Sequence, residues 1–148
     1  MIIRTEQLKD VCQKIVGAVD SSNGLSKLTE TLELKVIDRT LMLSVTNKEY
    51  YVRVKLPVDF DGDFHAAVNA DLFLKLIAQT TTETIDMKTN DTNLMVKGNG
   101  TYKIPLVYED DGLINVPEIS INNPTNSFPI NADVLLSILQ YNSKVVQT

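Results

Sequence analysis

The amino-acid sequence predicts an α+β fold made of repeated units, each with one strand, one helix and three further antiparallel strands. Nearly the same phrase occurs twice, as VNADLFLKLIAQT at residues 68–80 and as INADVLLSILQYN at residues 130–142. Segments that alternate apolar and polar residues lie before and after the first copy, a pattern typical of strands with one buried face. We therefore expect helices packed on one face of antiparallel sheets.

Each copy of the phrase is typical of a helix start. Asn69 and Asn131 can cap the free amides of a first turn, and the aspartate two positions later suits the positive end of the helix dipole. An earlier helix is predicted to follow a short strand at Ile2 and Ile3, with Thr5 as its N-cap. The starts at 5, 69 and 131 are separated by 64 and 62 residues, which indicates an internal repeat. The apolar stripe of the first helix comprises Leu8, Val11, Cys12, Ile15, Val16 and Val19.

Six further strands are predicted from alternation and turn residues. Asn99–Gly100 is the strongest hairpin signal among the turns. A further strand-like run, at residues 64–68, leads into the second helix. The six strands are residues 31–37, 41–46 and 50–56 in the first unit, and residues 84–89, 93–98 and 101–107 in the second.

The segment at residues 109–127 contains two prolines and four asparagines and has little periodicity, so it is interpreted as a linker. The predicted organisation is a first domain at residues 1–108, with half-units of about 1–61 and 62–108, and the start of a second domain at residues 128–148. Because a helix without a sheet to cover its apolar face is not a finished domain, we expect the chain to be a fragment.

Composition excludes several classes of protein. The hydrophobic fraction of 43% and the charged fraction of 22% are ordinary globular values. No run of about 18 apolar residues is present, so no membrane span is predicted. The single cysteine, Cys12, rules out an internal disulfide and is typical of a reducing cytoplasm. The net charge of −5 argues against a globally basic nucleic-acid binder, but it allows a basic lining on one face.

No catalytic, metal or cofactor site is predicted. Asp59, Asp61 and Asp63 have the spacing of the start of a calcium loop, but the twelfth position is Ala70 instead of a glutamate. His65 is the only histidine, so a zinc site or a histidine-based catalytic pair has no second ligand or partner of that kind.

The order and spacing of these elements resemble the bacterial sliding clamp, the beta subunit of DNA polymerase III. The resemblance implies the DNA-clamp fold and a ring of two subunits with three such domains each. In that ring the helices line a hole around duplex DNA and the sheets form the outer rim. The stretches that carry it are LKDVCQKIVGAV, TLELKVIDRTLMLSVTNKEYYV, VNADLFLKLI, NLMVKGNGTYKIPLV, VPEI and FPINADVLLSILQ.

The resemblance also implies a non-catalytic processivity factor that works without a cofactor. Its expected partners are duplex DNA, which it binds topologically and without sequence preference, the replicative polymerase, the clamp loader and a second copy of itself. The DNA-facing residues would then be Lys9, Gln13, Lys14, Lys27 and Lys75. The alternative, a solvated helix face of mixed charge, stays open because Glu6 and Asp10 share the face of the first helix.

The same resemblance places a subunit interface on the second helix and on the last strand of the first domain. That strand would be an edge that pairs across the interface. Leu74 lies off the apolar stripe of the second helix and is expected to be exposed, whereas Leu76 and Ile104 could equally be core residues. The residues implied in the interface are Leu74, Leu76, Tyr102, Lys103 and Ile104.

Two other functions stay open at this point. One is a stand-alone truncated clamp paralogue that acts as a protein-interaction module. The other is an enzyme, which is disfavoured because no nucleophile, base and orienting group are visible together.

Overall fold

The computed structural model describes residues 1–19, 26–47, 51–110, 112–117 and 127–146. Contacts divide the chain into two units, Met1–Glu118 and Ile119–Thr148. The helices are α1 (Thr5–Val16), α2 (Ala70–Gln79) and α3 (Ala132–Val146), and a 3-10 turn spans Lys27–Glu30. The strands are β1 (Ile2–Arg4), β2 (Thr31–Ile37), β3 (Thr40–Thr46), β4 (Tyr51–Pro57), β5 (His65–Asn69), β6 (Thr84–Thr89), β7 (Asn93–Lys97), β8 (Thr101–Pro105), β9 (Tyr108–Glu109) and β10 (Gly112–Leu113).

The first unit contains two four-stranded antiparallel sheets, with the strand orders β4-β3-β2-β5 and β1-β6-β7-β8. The predicted α+β class and the repeated units are confirmed. The opening strand of each half, however, lies in the sheet of the other half. β5 pairs with β2, with Leu32 opposite Val68, and β1 pairs with β6, with Ile3 opposite Ile85. A bridge between Val68 and Leu106 then joins the two sheets.

Helices α1 and α2 contact each other and cover the inner faces of the sheets. The inward residues of the strands are those that the alternation predicted, because side chains of a strand point to opposite faces in turn. The largest fully buried side chains are Leu8, Ile15, Leu32, Leu34, Leu41, Leu43, Phe73, Ile77, Ile85, Met87 and Leu94.

Two of the three predicted helix caps are confirmed. Asn69 Oδ1 accepts a hydrogen bond from the Leu72 amide at 3.0 Å, and Asn131 Oδ1 accepts one from the Asp133 amide at 2.8 Å. The prediction for Thr5 is wrong, because this residue is already the first of α1 and is buried. Its amide donates to the Glu83 carbonyl at 2.9 Å, so the residue before β6 satisfies one of the four amides that a helix leaves free at its start.

The predicted exposure of Leu74 is wrong. Leu74 is only 9% exposed, whereas Leu72, two positions earlier on the same helix, is 56% exposed. Leu74 lines a groove with Val16, the last residue of α1, and with Val19, which lies three residues further along the chain. Contact with a second helix therefore widens the buried face of α2 beyond what its own periodicity indicates.

The second unit consists of α3 and the residues before it. Several apolar side chains of α3 are exposed, including Val134, Leu136, Ile138 and Leu139. Among the described residues, no helix is both long and apolar enough to cross a membrane.

Replacing Leu74 with alanine should lower the free energy of unfolding by about 2–3 kcal/mol, because it removes buried methyl groups and leaves a cavity. The matched control is Leu72→Ala on the same helix, which should change stability by less than about 0.5 kcal/mol. Urea unfolding followed by circular dichroism measures both values. Equal effects of the two substitutions would contradict the burial of Leu74.

Burial raises the pKa of the Cys12 thiol from 9.0 to about 12. The unfolded thiol ionises at lower pH than the folded one, so folding stability from this group is present below pH 9 and is lost as pH rises toward 12. The stability advantage of the wild type over Cys12→Ala should therefore shrink between pH 8.5 and 10.5, by about 2 kcal/mol. Urea unfolding at each pH gives the difference, in which lysine and tyrosine titrations common to both proteins cancel. A difference that stays constant across this range would refute the prediction.

Candidate nucleic-acid interface and assembly edge

The outward faces of α1 and α2 carry the predicted DNA-facing residues of the two helices. Gln13, Lys14 and Lys75 are exposed, and Lys9 is half-buried. Lys14 Nζ lies 2.7 Å from Asp10 Oδ2, and Lys75 Nζ lies 2.7 Å from the Asp71 carboxylate. Both are exposed pairs one helical turn apart, and each is worth only about 0.3–0.5 kcal/mol. Either lysine can therefore leave its aspartate for another anion at little cost.

The helix layer is neutral in sum. On α1, Lys9 and Lys14 balance Glu6 and Asp10, and on α2 the single lysine balances Asp71. The structure thus favours the mixed-charge description of this face, which the sequence left open, over a strongly electropositive one.

The remaining two predicted cations lie apart from each other. Lys9 lines a cavity with Arg4, Glu6 and Glu83 at the beginning of α1. Lys27 is exposed in the 3-10 turn before β2, where its carbonyl accepts a hydrogen bond from the Thr31 hydroxyl at 2.6 Å. Lys75 lines a groove with Val16, the last residue of α1.

Strand β8 lies at one end of its sheet, as the resemblance implied. It pairs with β7, and within the described residues no strand pairs with its other edge. Tyr102 is 42% exposed and Lys103 is also exposed, whereas Ile104 is only 6% exposed and belongs to the core cluster. Leu76 is half-buried against the same core.

Asn99 fastens this edge to the end of α2. Its Oδ1 accepts hydrogen bonds from the amides of Thr81 at 2.8 Å and Thr82 at 3.2 Å, and its Nδ2 donates to the Gln79 carbonyl at 3.3 Å. The predicted hairpin is confirmed, but its loop has three residues, because Lys97 and Thr101 are the last paired residues. The additional loop residue leaves Asn99 at the tip, where its amide can reach the chain that follows α2.

Comparison with protein-family models gives no match. The chain is 23% identical, over 137 residues, to the beta sliding clamp of Mycoplasmopsis pulmonis, and the alignment covers 93% of this chain and 36% of that protein. Its structure superposes on the Helicobacter pylori beta clamp bound to a DNA ligase peptide with a TM-score of 0.71 and 20% identity. That match covers 84% of this chain and 34% of the clamp chain. The chain has the beta-clamp fold.

A second solved structure agrees with this assignment. The DNA polymerase III subunit beta of Pseudomonas aeruginosa matches with a TM-score of 0.70 and 18% identity, over 86% of this chain and 34% of that one. The chain therefore spans about a third of the length of the clamps that it resembles.

One polar cluster of this clamp-fold unit was not predicted from the sequence. Glu33 is buried, with one carboxylate oxygen 2.8 Å from His65 Nε2, and the other accepts the Val116 amide at 3.2 Å. Alternation in β2 and β5 places Glu33 and His65 on the outer face of the sheet, which the sequence could indicate. The return of Val116 to that face joins residues separated by 83 positions, and no local pattern encodes it.

Within the described residues, no three His, Cys, Asp or Glu side chains lie together as metal ligands would. Asp59, Asp61 and Asp63 lie between β4 and β5, and Asp59 pairs loosely with Arg39 at 3.7 Å.

Replacing Asn99 with alanine should lower the free energy of unfolding by about 1–2 kcal/mol, because two amides lose their acceptor. Hydrogen exchange at Thr81 and Thr82 should also become faster. Asn90→Ala is the matched control, since Asn90 accepts from the amides of Thr92 and Asn93 within its own turn, at 3.0 and 2.7 Å.

The control substitution should accelerate exchange in the turn after β6 and leave Thr81 and Thr82 unchanged. Slow exchange at Thr81 and Thr82 in Asn99→Ala would show that Asn99 does not fasten β8 to α2.

Proposed function

We propose that this chain supplies a first domain, residues 1–108, and the beginning of a second, residues 128–148, of a replicative sliding clamp. Residues 109–127 would connect the two, and the part of this segment around Ile114 and Val116 is buried against the first domain. The observation that carries the proposal is the beta-clamp fold over more than four-fifths of the chain. The proposed activity is mechanical and non-catalytic: a closed ring encircles duplex DNA and keeps the replicative polymerase at the template in the cytoplasm.

The proposed DNA-facing surface is the helix layer. Phosphate contacts are independent of sequence and depend on salt, so a ring that must slide benefits from few and weak ones. Lys14 and Lys75 suit this role, because their pairs with Asp10 and Asp71 are exposed and easily exchanged. Gln13, Lys9 and Lys27 would add polar contacts at the margin.

The proposed assembly edge is β8 with the adjoining part of α2. A strand edge without a partner in its own chain can extend its sheet into a second subunit. Tyr102 and Lys103 are exposed there and would make the contact. Leu74, Leu76 and Ile104 would support it from behind, since they are buried or half-buried.

Polymerase and clamp loader are proposed as partners of the assembled ring. The Helicobacter pylori clamp binds a DNA ligase peptide, so a clamp of this fold can hold a peptide of a partner protein. We assign no peptide-binding residues to the part of the chain that the structure describes.

The test is a chimera in which residues 1–118 replace the matching third of the Helicobacter pylori beta clamp. A clamp loader should place it on a nicked circular plasmid, where it should resist 0.5 M salt and leave when the circle is cut. Salt would strip an electrostatic binder from circular and linear DNA alike. Retention that ignores cutting, in a chimera that still forms dimers, would overturn the topological mechanism.

Two tyrosines provide a matched pair for the assembly edge. Tyr102→Ala in the chimera should weaken the dimer, measured by analytical ultracentrifugation, whereas Tyr108→Ala, at an equally exposed position outside β8, should not. The unfused chain should bind a linear duplex no more tightly than a high-micromolar Kd, because its helix layer is neutral. If the chimera does not close on DNA but the unfused chain binds an intact clamp, the interaction-module function is favoured instead.

A further inference from the structure

The outer faces of the two sheets carry the same cross-strand row of side chains. In the first sheet, Lys35 on β2 lies opposite Met42 on β3, which lies opposite Lys55 on β4. In the second sheet, Lys88, Met95 and Lys103 are aligned in the same way on β6, β7 and β8. Strands are about 4.8 Å apart, so the two lysines of each row are separated by about 10 Å across a central methionine. The repeat therefore presents two comparable cationic rows.

The two rows differ in the pairing of the lysine on the first strand of each row. Lys88 Nζ lies 3.5 Å from Asp86 on its own strand. The equivalent carboxylate of the first sheet, Glu33, is buried and is bound by His65 and by the Val116 amide. Within the described residues, Lys35 and Lys55 form no ion pair. The first row thus retains two unneutralised ammonium groups in a protein of net charge −5.

The first row also lies in a formed groove. Residues 114–117 return over the outer face of the sheet, where Ile114 and Val116 are buried. Arg53 is held in the same groove, with Nε 3.1 Å from Ser44 Oγ and its guanidinium 5.3 Å from the centre of the Tyr51 ring. The cavity has a volume of about 310 Å³. Its lining includes Lys35, Ile37, Met42, Arg53, Lys55 and Val116.

We propose that this groove binds an acidic, extended peptide segment of a partner protein. Lys35 and Lys55, with Arg53 beside them, match the carboxylates of an extended segment in which every second residue is acidic, because alternate side chains of a strand point to the same side. Met42, Ile37 and Val116 would contact the methylene groups of those acidic side chains. A nucleic acid fits less well, because the lining contains no aromatic ring for base stacking. The inference does not depend on the proposed clamp function, since it concerns the sheet face opposite the helix layer.

The experiment uses the 148-residue chain and the fluorescein-labelled peptide Glu-Leu-Glu-Leu-Glu at 50 mM salt. Fluorescence anisotropy should show saturable binding that the matched peptide Gln-Leu-Gln-Leu-Gln lacks. The double variant K35Q/K55Q should weaken binding by at least about tenfold, since it removes two charge-assisted contacts. The matched control K88Q/K97Q changes the net charge equally on the outer face of the other sheet and should leave the Kd within about twofold.

Amide shifts in spectra of the ¹⁵N-labelled wild-type chain give a readout that needs no variant. Shifts confined to β2, β3, β4 and residues 112–117 support the groove. Absence of binding, equal weakening by both double variants, or shifts spread over both sheets would overturn the proposal. Tighter binding of a 20-base-pair duplex than of the acidic peptide at the same residues would also overturn it, in favour of a nucleic-acid site.

Discussion

Two strands, β1 and β5, lie in the sheet of the opposite half of the repeat, and the positions of both helices follow from this exchange. α1 begins at the residue after β1, and α2 begins at the residue after β5. Each helix therefore starts from one sheet and must cross the inner face of the domain, where the two meet side by side. A half-repeat alone would lack one strand of its sheet and half of the cover of its core, so the two halves stabilise each other.

Local patterns in the sequence predicted the helices and strands, whereas contacts between distant segments decided which other side chains are buried. Alternation predicted residues 31–37 and 84–89 with the correct boundaries, since a strand with one buried face encodes its own extent. The caps at Asn69 and Asn131 were predictable for the same reason. Leu74 was not, because a second helix buries it. Nor was the site around Glu33 predictable, because its partners are supplied by β5 and by a segment 83 residues away.

The charge distribution separates the two faces of the domain. Lys14 and Lys75 on the helix layer each have an aspartate one turn away, which reduces the field of that face while leaving the ammonium groups accessible. On the outer face of the first sheet, the Glu33 carboxylate is bound by His65 and by the Val116 amide. Lys35 and Lys55 therefore have no counter-ion within the described residues. Net charge alone indicates neither arrangement, because an excess of acidic residues can coexist with local cationic rows.

The comparison of Glu33 with Asp86 shows how a repeated sheet acquires two different surfaces. Both residues precede a lysine by two positions on the equivalent strand. Asp86 remains partly exposed and pairs with that lysine, whereas the longer glutamate is enclosed by His65 and residues 114–117. Burying a carboxylate is costly unless hydrogen bonds compensate, so the return of the chain over the first sheet and the pairing of Glu33 require each other. Lys35 and Lys55 have no ion-pair partner as a consequence, because the Glu33 carboxylate binds His65 and the Val116 amide instead of a lysine.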